Sequence, residues 1–154
     1  MAKILIIDDD PMIVDLLRTR LTEAGHQIAV AMDAYGAGGA AAREKPDLIT
    51  LDFQMPAGDG ATAYSRLRGN TFTVATPIIF ISGINPGEIL SRLPKDPLVR
   101  VITKPIDMDE LSKHIAELLG LPPPAGGPSK SQPKPRDPGF DGGSMGGDIL
   151  DIKL

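Results

Sequence analysis

The sequence predicts an α/β domain, a five-stranded parallel sheet with helices on both faces. Three observations lead there. Short apolar runs rich in β-branched residues recur at 3–8, 27–31, 47–52, 77–82 and 98–103. Between them, apolar residues recur at helical spacing. Strands that alternate with helices need crossover connections, which pair the strands in parallel and cover both faces of the sheet.

Lys3-Ile-Leu-Ile-Ile-Asp8 is the first strand, and it runs into the carboxylates Asp8, Asp9 and Asp10. Pro11 suits the first turn of a helix because its missing N–H has no partner there in any case. Ile13, Leu16, Leu17, Leu21 and Ala24 then form one apolar face, and Gly25 is the stop signal. Gln27 to Ala31 is the second strand. Asp33 caps a helix over 34–44. Gly36, Gly38 and Gly39 each cost that helix about 1 kcal/mol relative to alanine, so it is expected to be mobile or short.

The third strand runs from Asp47 to Asp52. Gly58-Asp59-Gly60 opens a helix whose inner face is Ala63, Tyr64 and Leu67. Pro77 to Ser82 is the fourth strand, followed by a short helix from Pro86 to Leu93 closed by Pro94 and Pro97. Leu98 to Thr103 is the fifth. Asp107 caps a last helix carrying Met108, Leu111, Ile115, Leu118 and Leu119, which Gly120 ends. A flavodoxin-like strand order, 2-1-3-4-5, is the expected topology.

Bulk properties bound the function. The chain has 154 residues, enough for one domain with a real core and some surplus. It lacks an apolar run near the length of a membrane span, so no membrane insertion is expected. Its N-terminus enters a strand at once and lacks the layout of a signal peptide. Absence of cysteine removes disulfides and thiolate metal sites and fits a reducing, cytoplasmic setting. Two histidines make an imidazole zinc site a poor expectation, and a net charge of −4 counts against a nucleic-acid-binding surface.

Composition changes after residue 120. Proline and glycine make up about half of 121–147, a linker composition that cannot bury enough surface to offset its chain entropy. The division expected is therefore a folded domain over 1–120, a linker over 121–147 and a short apolar segment over 148–154. That segment, Asp148-Ile-Leu-Asp-Ile-Lys-Leu154, is either a frayed end or a tethered docking peptide.

The chemistry collects at strand ends. Strand one brings Asp8 and Asp9, strand three Asp52, strand four Ser82 and strand five Lys104. In a parallel sheet these ends share one edge, where open α/β sheets place their sites. Clustered carboxylates repel and call for a cation or for protonation. Oxygen ligands alone favour a hard ion such as Mg²⁺. Asp52 can then act as a nucleophile toward a phosphoryl group, with Lys104 neutralising charge. The Ser82 hydroxyl and the Gly83 N–H can donate to phosphate oxygens. Taken singly, these residues have plainer readings. Adjacent aspartates are often caps, and a serine after a strand is often a turn residue. Their joint occurrence at successive strand ends is what carries weight.

The motifs Ile-Ile-Asp8-Asp9-Asp10-Pro11, Leu51-Asp52-Phe53-Gln54-Met55-Pro56 with Gly58-Asp59-Gly60, Pro77-Ile-Ile-Phe-Ile-Ser82-Gly83 and Thr103-Lys104-Pro105 resemble the receiver domain of two-component response regulators, in particular stand-alone regulators of the chemotaxis type. The resemblance covers roughly Lys3 to Leu119. It implies that Asp52 is the phosphoacceptor. It implies Mg²⁺ held by Asp9, Asp52 and the main-chain carbonyl of Gln54, with Asp8 acting through water. It also implies phosphoryl contacts from Ser82 and Lys104, a cis Lys104–Pro105 bond, and a histidine kinase or histidine phosphotransfer protein as donor.

Two features depart from the family pattern. Val101 stands where an aromatic residue usually couples to movement of the Ser82 hydroxyl. The second is the pair flanking the phosphate, Gln54 after the acceptor and Ile84 two residues after Ser82, of which the apolar Ile84 would shield an acyl phosphate from water. The 34 residues after Gly120 leave little room for a conventional output domain. The expected function is thus a phosphorylation-controlled module, not an enzyme in the ordinary sense, that acts by binding a downstream protein the sequence does not name. A phosphate sink or relay is the alternative that Val101 favours. A phosphate-independent scaffold is disfavoured by the intact acidic cluster. A hydrolase of the aspartyl-phosphate type is disfavoured by Gln54, since it would need a second Asp there.

Overall fold

The computed structural model describes residues 2–54 and 60–122. In chain order it forms β1 (Lys3–Ile7), α1 (Pro11–Glu23), β2 (Gln27–Ala31), α2 (Ala34–Glu44), β3 (Leu48–Asp52), α3 (Gly60–Arg68), β4 (Ile78–Ser82), α4 (Pro86–Ser91), β5 (Val99–Thr103) and α5 (Met108–Leu119). All strand pairs are parallel, and the sheet order is β2-β1-β3-β4-β5. This is the flavodoxin-like order that the alternating pattern predicts. The expected linker from 123 onward, the segment 148–154, and Met55, Pro56, Gly58 and Asp59 lie outside the described residues.

Burial explains the sequence of each strand. β3 and β4 are covered on both faces and buried at every position, so they read as unbroken apolar runs. The edge strands β2 and β5 keep several positions half-exposed. Alternate residues feed two cores. Ile4, Ile6, Leu48, Ile79, Ile81 and Ile102 meet α1 and α5. Leu5, Ile7, Ile49, Leu51, Ile78 and Phe80 meet α2, α3 and α4.

Helices begin where side chains can satisfy their first N–H groups. Asp10 accepts from Met12 N–H at 2.9 Å, Asp33 from Gly36 N–H at 2.6 Å, Asn85 from Gly87 N–H at 2.8 Å and Asp107 from Asp109 N–H at 2.9 Å. Pro11 and Pro86 sit in first turns. Gly25 (φ 96°) and Gly120 (φ 67°) take the left-handed backbone after α1 and α5 that only glycine enters without cost.

Two expectations need correction. The buried stripe of α1 is Val14, Leu17 and Leu21, whereas Leu16 and Ala24 are exposed. The helix is rotated so that a 14-17-21 stripe meets the sheet, and Ala24 is already its C-cap. α2 is not short. It runs 11 residues because Ala37, Ala40 and Ala41 bury a closely packed small-residue face, which offsets the propensity cost of its glycines.

Candidate functional site

The carboxyl ends of β1, β3, β4 and β5 bring together the residues expected to act. Asp8 follows β1 and is 2% exposed, Asp52 ends β3 at 5%, and Ser82 ends β4 at 1%. Asp9 is half-buried beside them. One carboxylate oxygen from each of Asp8, Asp9 and Asp52 lies within 4.8 Å of the others. Lys104 follows β5, and its backbone N–H donates to the Ser82 carbonyl at 2.9 Å, extending the ladder one residue past the strand. Its Nζ stands 3.8 Å from Asp8 Oδ2 and 3.7 Å from Asp52 Oδ2. The bond from Lys104 to Pro105 is cis.

Short local bonds aim these carboxylates. Asp8 Oδ1 accepts from Asp10 N–H at 2.9 Å, and Asp52 Oδ1 accepts from Gln54 N–H at 3.1 Å. Each therefore has one oxygen engaged by backbone and one turned toward its neighbours. Ser82 Oγ accepts from Ile84 N–H at 3.2 Å, which leaves its hydroxyl proton for another partner. Open space surrounds the position where a Gly83 side chain would point.

The electrostatics are unbalanced. Burial pushes the Asp8 carboxyl up to about 6, with the charges of Asp52 and Asp9 adding to it and the Asp10 N–H and Lys104 opposing it. Burial also raises Asp52, against the Gln54 N–H and Lys104. One lysine beyond hydrogen-bond reach does not neutralise three carboxylates. An oxygen-only donor set of this spacing and charge fits a hard divalent cation that keeps several waters. Asp8, Asp9 and Asp52 are the groups the structure brings together to hold it.

Around this cluster lie packing contacts that the sequence pattern alone does not specify. The ring of Phe53, directly after Asp52, packs edge-on against Phe80, with centroids 5.6 Å apart and planes at 70°. Gly60 N–H donates to the Phe53 carbonyl at 2.6 Å. A Cβ at Gly60 would stand 2.7 Å from the Phe53 Cα, so this close approach requires glycine. Val101 is half-buried and pairs in register with Phe80. Ile84 is half-buried and packs against the α2–α3–α4 core.

Comparison with known proteins agrees with this geometry. The family model described as the response regulator receiver domain matches residues 4–116. The DNA-binding dual master transcriptional regulator RpaA of Synechocystis is 35% identical over 121 residues, covering 77% of this chain and 49% of that protein. The chain thus spans about half of RpaA. Protein PilH of Pseudomonas aeruginosa is 31% identical over 119 residues, covering 77% of this chain and 98% of PilH. The crystal structure of Vibrio cholerae chemotaxis protein CheY4 superposes with a TM-score of 0.72 at 25% identity, covering 77% of this chain and 99% of that one.

Proposed function

The chain belongs to the response regulator receiver domain family of two-component signalling, and from that premise we propose that it is a phosphorylation-controlled module that accepts a phosphoryl group on Asp52 and acts by binding other proteins. One observation carries the reading: Asp52 is buried at a strand end, beside two further carboxylates and a lysine that leave the cluster short of positive charge.

In the proposed reaction an Asp52 oxygen attacks the phosphorus of a phosphohistidine on a histidine kinase or phosphotransfer protein. A P–O bond forms as the P–N bond breaks, and the electron pair leaves with the imidazole. Lys104, already 3.7 Å from Asp52, pairs with a phosphoryl oxygen. The Ser82 hydroxyl and Gly83 N–H donate to the remaining oxygens. Mg²⁺, when bound, supplies the positive charge that lets the carboxylates stay ionised next to the phosphoryl group. Asp8 and Asp9, which follow β1, would hold that ion together with Asp52.

Val101 supports a second reading, a phosphate sink or relay receiver, because valine cannot give the large rotamer change of an aromatic residue at that position. Ile84, placed beside Ser82, would lengthen the life of the acyl phosphate by shielding it from water. A lifetime of seconds supports the sink, and minutes or longer supports signalling. The 121–147 stretch is proposed as a linker and 148–154 as a docking peptide for a partner. Pull-down with and without beryllofluoride, using the full chain and a form truncated after Gly120, tests that role. For the acceptor itself, a small acyl-phosphate donor with Mg²⁺ should add one phosphoryl group to the wild type by intact mass and none to Asp52→Asn. Equal labelling of both would overturn the assignment.

A further inference from the structure

Val101 removes the aromatic lever from β5, yet an aromatic residue does occupy that level of the sheet. In the parallel register Val101 pairs with Phe80 of β4. Phe80 is fully buried and meets two other rings. Phe53 meets it edge-on at 5.6 Å. Tyr64 of α3 lies 6.3 Å away with planes at 42°. Phe53 is bonded to Asp52, so the ring series starts at the acceptor.

The series ends on a polar latch. Tyr64 Oη donates to Asp96 Oδ2 at 2.7 Å, and Arg68 Nε donates to the same oxygen at 2.8 Å. The other Asp96 oxygen accepts from Leu98 N–H at 2.9 Å, and its carbonyl accepts from Val99 N–H at 3.2 Å. Asp96 therefore sets the backbone where the chain enters β5. The Arg68 Nη1 also donates to the Thr73 and Thr76 carbonyls, at 2.9 and 2.8 Å. This anchors the latch to the loop before β4, so that movement of Tyr64 is met at Asp96.

We propose that the Phe53–Phe80–Tyr64 ring series and the Tyr64–Asp96 hydrogen bond carry the state of Asp52 to the segment 96–99, in place of an aromatic switch on β5. The proposal rests on Asp52 being the acceptor. A phosphoryl group on Asp52 displaces the backbone at Phe53, which Gly60 N–H grips at 2.6 Å. Close-packed rings have no void in which to absorb that displacement and pass it on as a shift. Tyr64 Oη then presses on or withdraws from Asp96, and the entry to β5 follows. No rotamer exchange at Val101 is needed.

The test is amide NMR of the full chain with Mg²⁺ and beryllofluoride, with fluorine NMR reporting adduct formation separately. In the wild type, adduct formation should shift the amides of Asp96 and Leu98. In Tyr64→Phe, which keeps the ring and loses the hydroxyl, the adduct should still form while that shift is lost. Tyr35→Phe, at an exposed tyrosine, should respond as the wild type does. An unchanged Asp96 and Leu98 response in Tyr64→Phe overturns the relay, and so does a wild-type response absent from 96–99.

A second measurement guards against misfolding of Tyr64→Phe. The chain has no tryptophan and two tyrosines, so Tyr35→Phe leaves Tyr64 as the sole emitter. Its emission should change with adduct formation, and constant emission overturns the relay. Absence of any bound fluoride signal would instead remove the acceptor assignment, and the relay with it.

Discussion

Among the described residues, a buried ionic cluster and a half-buried one are built on opposite plans. At the sheet edge, Asp8, Asp9 and Asp52 share one lysine whose Nζ is 3.7 to 3.8 Å from its partners. Below it, Asp96 takes Arg68 Nε at 2.8 Å and Tyr64 Oη at 2.7 Å. Burial raises Asp8 and Asp52. Burial also acts to raise Asp96, but hydrogen bonds from Tyr64, Arg68 and the Leu98 N–H outweigh it and hold the carboxyl below its ordinary value. The first cluster is short of donors and cations. The second has nearly all its bonds made. A buried charge whose partners are complete is a structural element, and one whose partners are missing marks a place where something is to arrive.

Removing a partner from the complete cluster should have the largest effect on stability. Arg68→Met would leave the Asp96 charge without its cation and the Thr76 carbonyl without its donor, at a cost of about 2–3 kcal/mol, below that of breaking a fully buried pair. Chemical denaturation measures it. A loss below about 1 kcal/mol would mean the latch is worth no more than an exposed ion pair.

The incomplete cluster should respond the other way, gaining stability when a partner is supplied. Mg²⁺ at a hundredfold excess over its dissociation constant should add about 2.7 kcal/mol, read as a rise in melting temperature. Asp52→Asn should reduce that gain. An equal gain in the variant would place the cation elsewhere.

Gly60→Ala joins the two regions. The added Cβ meets the Phe53 backbone at 2.7 Å and the Phe80 ring at 3.1 Å. A cost of about 1–3 kcal/mol is expected from such overpacking, with slower phosphorylation of Asp52. Normal stability and normal labelling together would show that the contact is easily relieved.

The smallest effect is in the acid limb. Because the folded-state pKa of Asp96 is depressed, its contribution is fully present above its ordinary value of 3.8 and is lost as pH falls through the folded value. Asp96→Asn should therefore flatten the wild type's loss of stability below about pH 4. A parallel acid limb in the two proteins would remove Asp96 from that role.

The two clusters also differ in how far they were legible in the sequence. Asp8, Asp9, Asp52, Ser82 and Lys104 could be placed because each follows an apolar run at the same end of a parallel strand. Chain direction alone then brings them to one edge. The caps Asp33 and Asp107 were readable for a related reason, since capping is a local matter of two or three residues. Arg68 and Asp96 were not. They lie 28 residues apart, and nothing in either neighbourhood announces the other. Tyr64 was readable as an inner-face residue, but its hydroxyl partner depends on how α3 lies against the loop before β5. The α1 stripe failed in a similar way. Helical spacing marks a broad apolar face, and packing against the sheet selects Val14 over Leu16 within it. On α2, propensity pointed to a short helix, and burial of Ala37, Ala40 and Ala41 prevailed.

On the proposed function, the incomplete cluster receives a phosphoryl group on Asp52. Borohydride reduction tests it most directly, because it converts an acyl phosphate to an alcohol and so turns a phosphorylated aspartate into homoserine. After treatment with an acyl-phosphate donor and Mg²⁺, peptide mass spectrometry should find homoserine at position 52 and at no other aspartate. Homoserine at position 8 or 9, or at none, would rule out Asp52 as the acceptor.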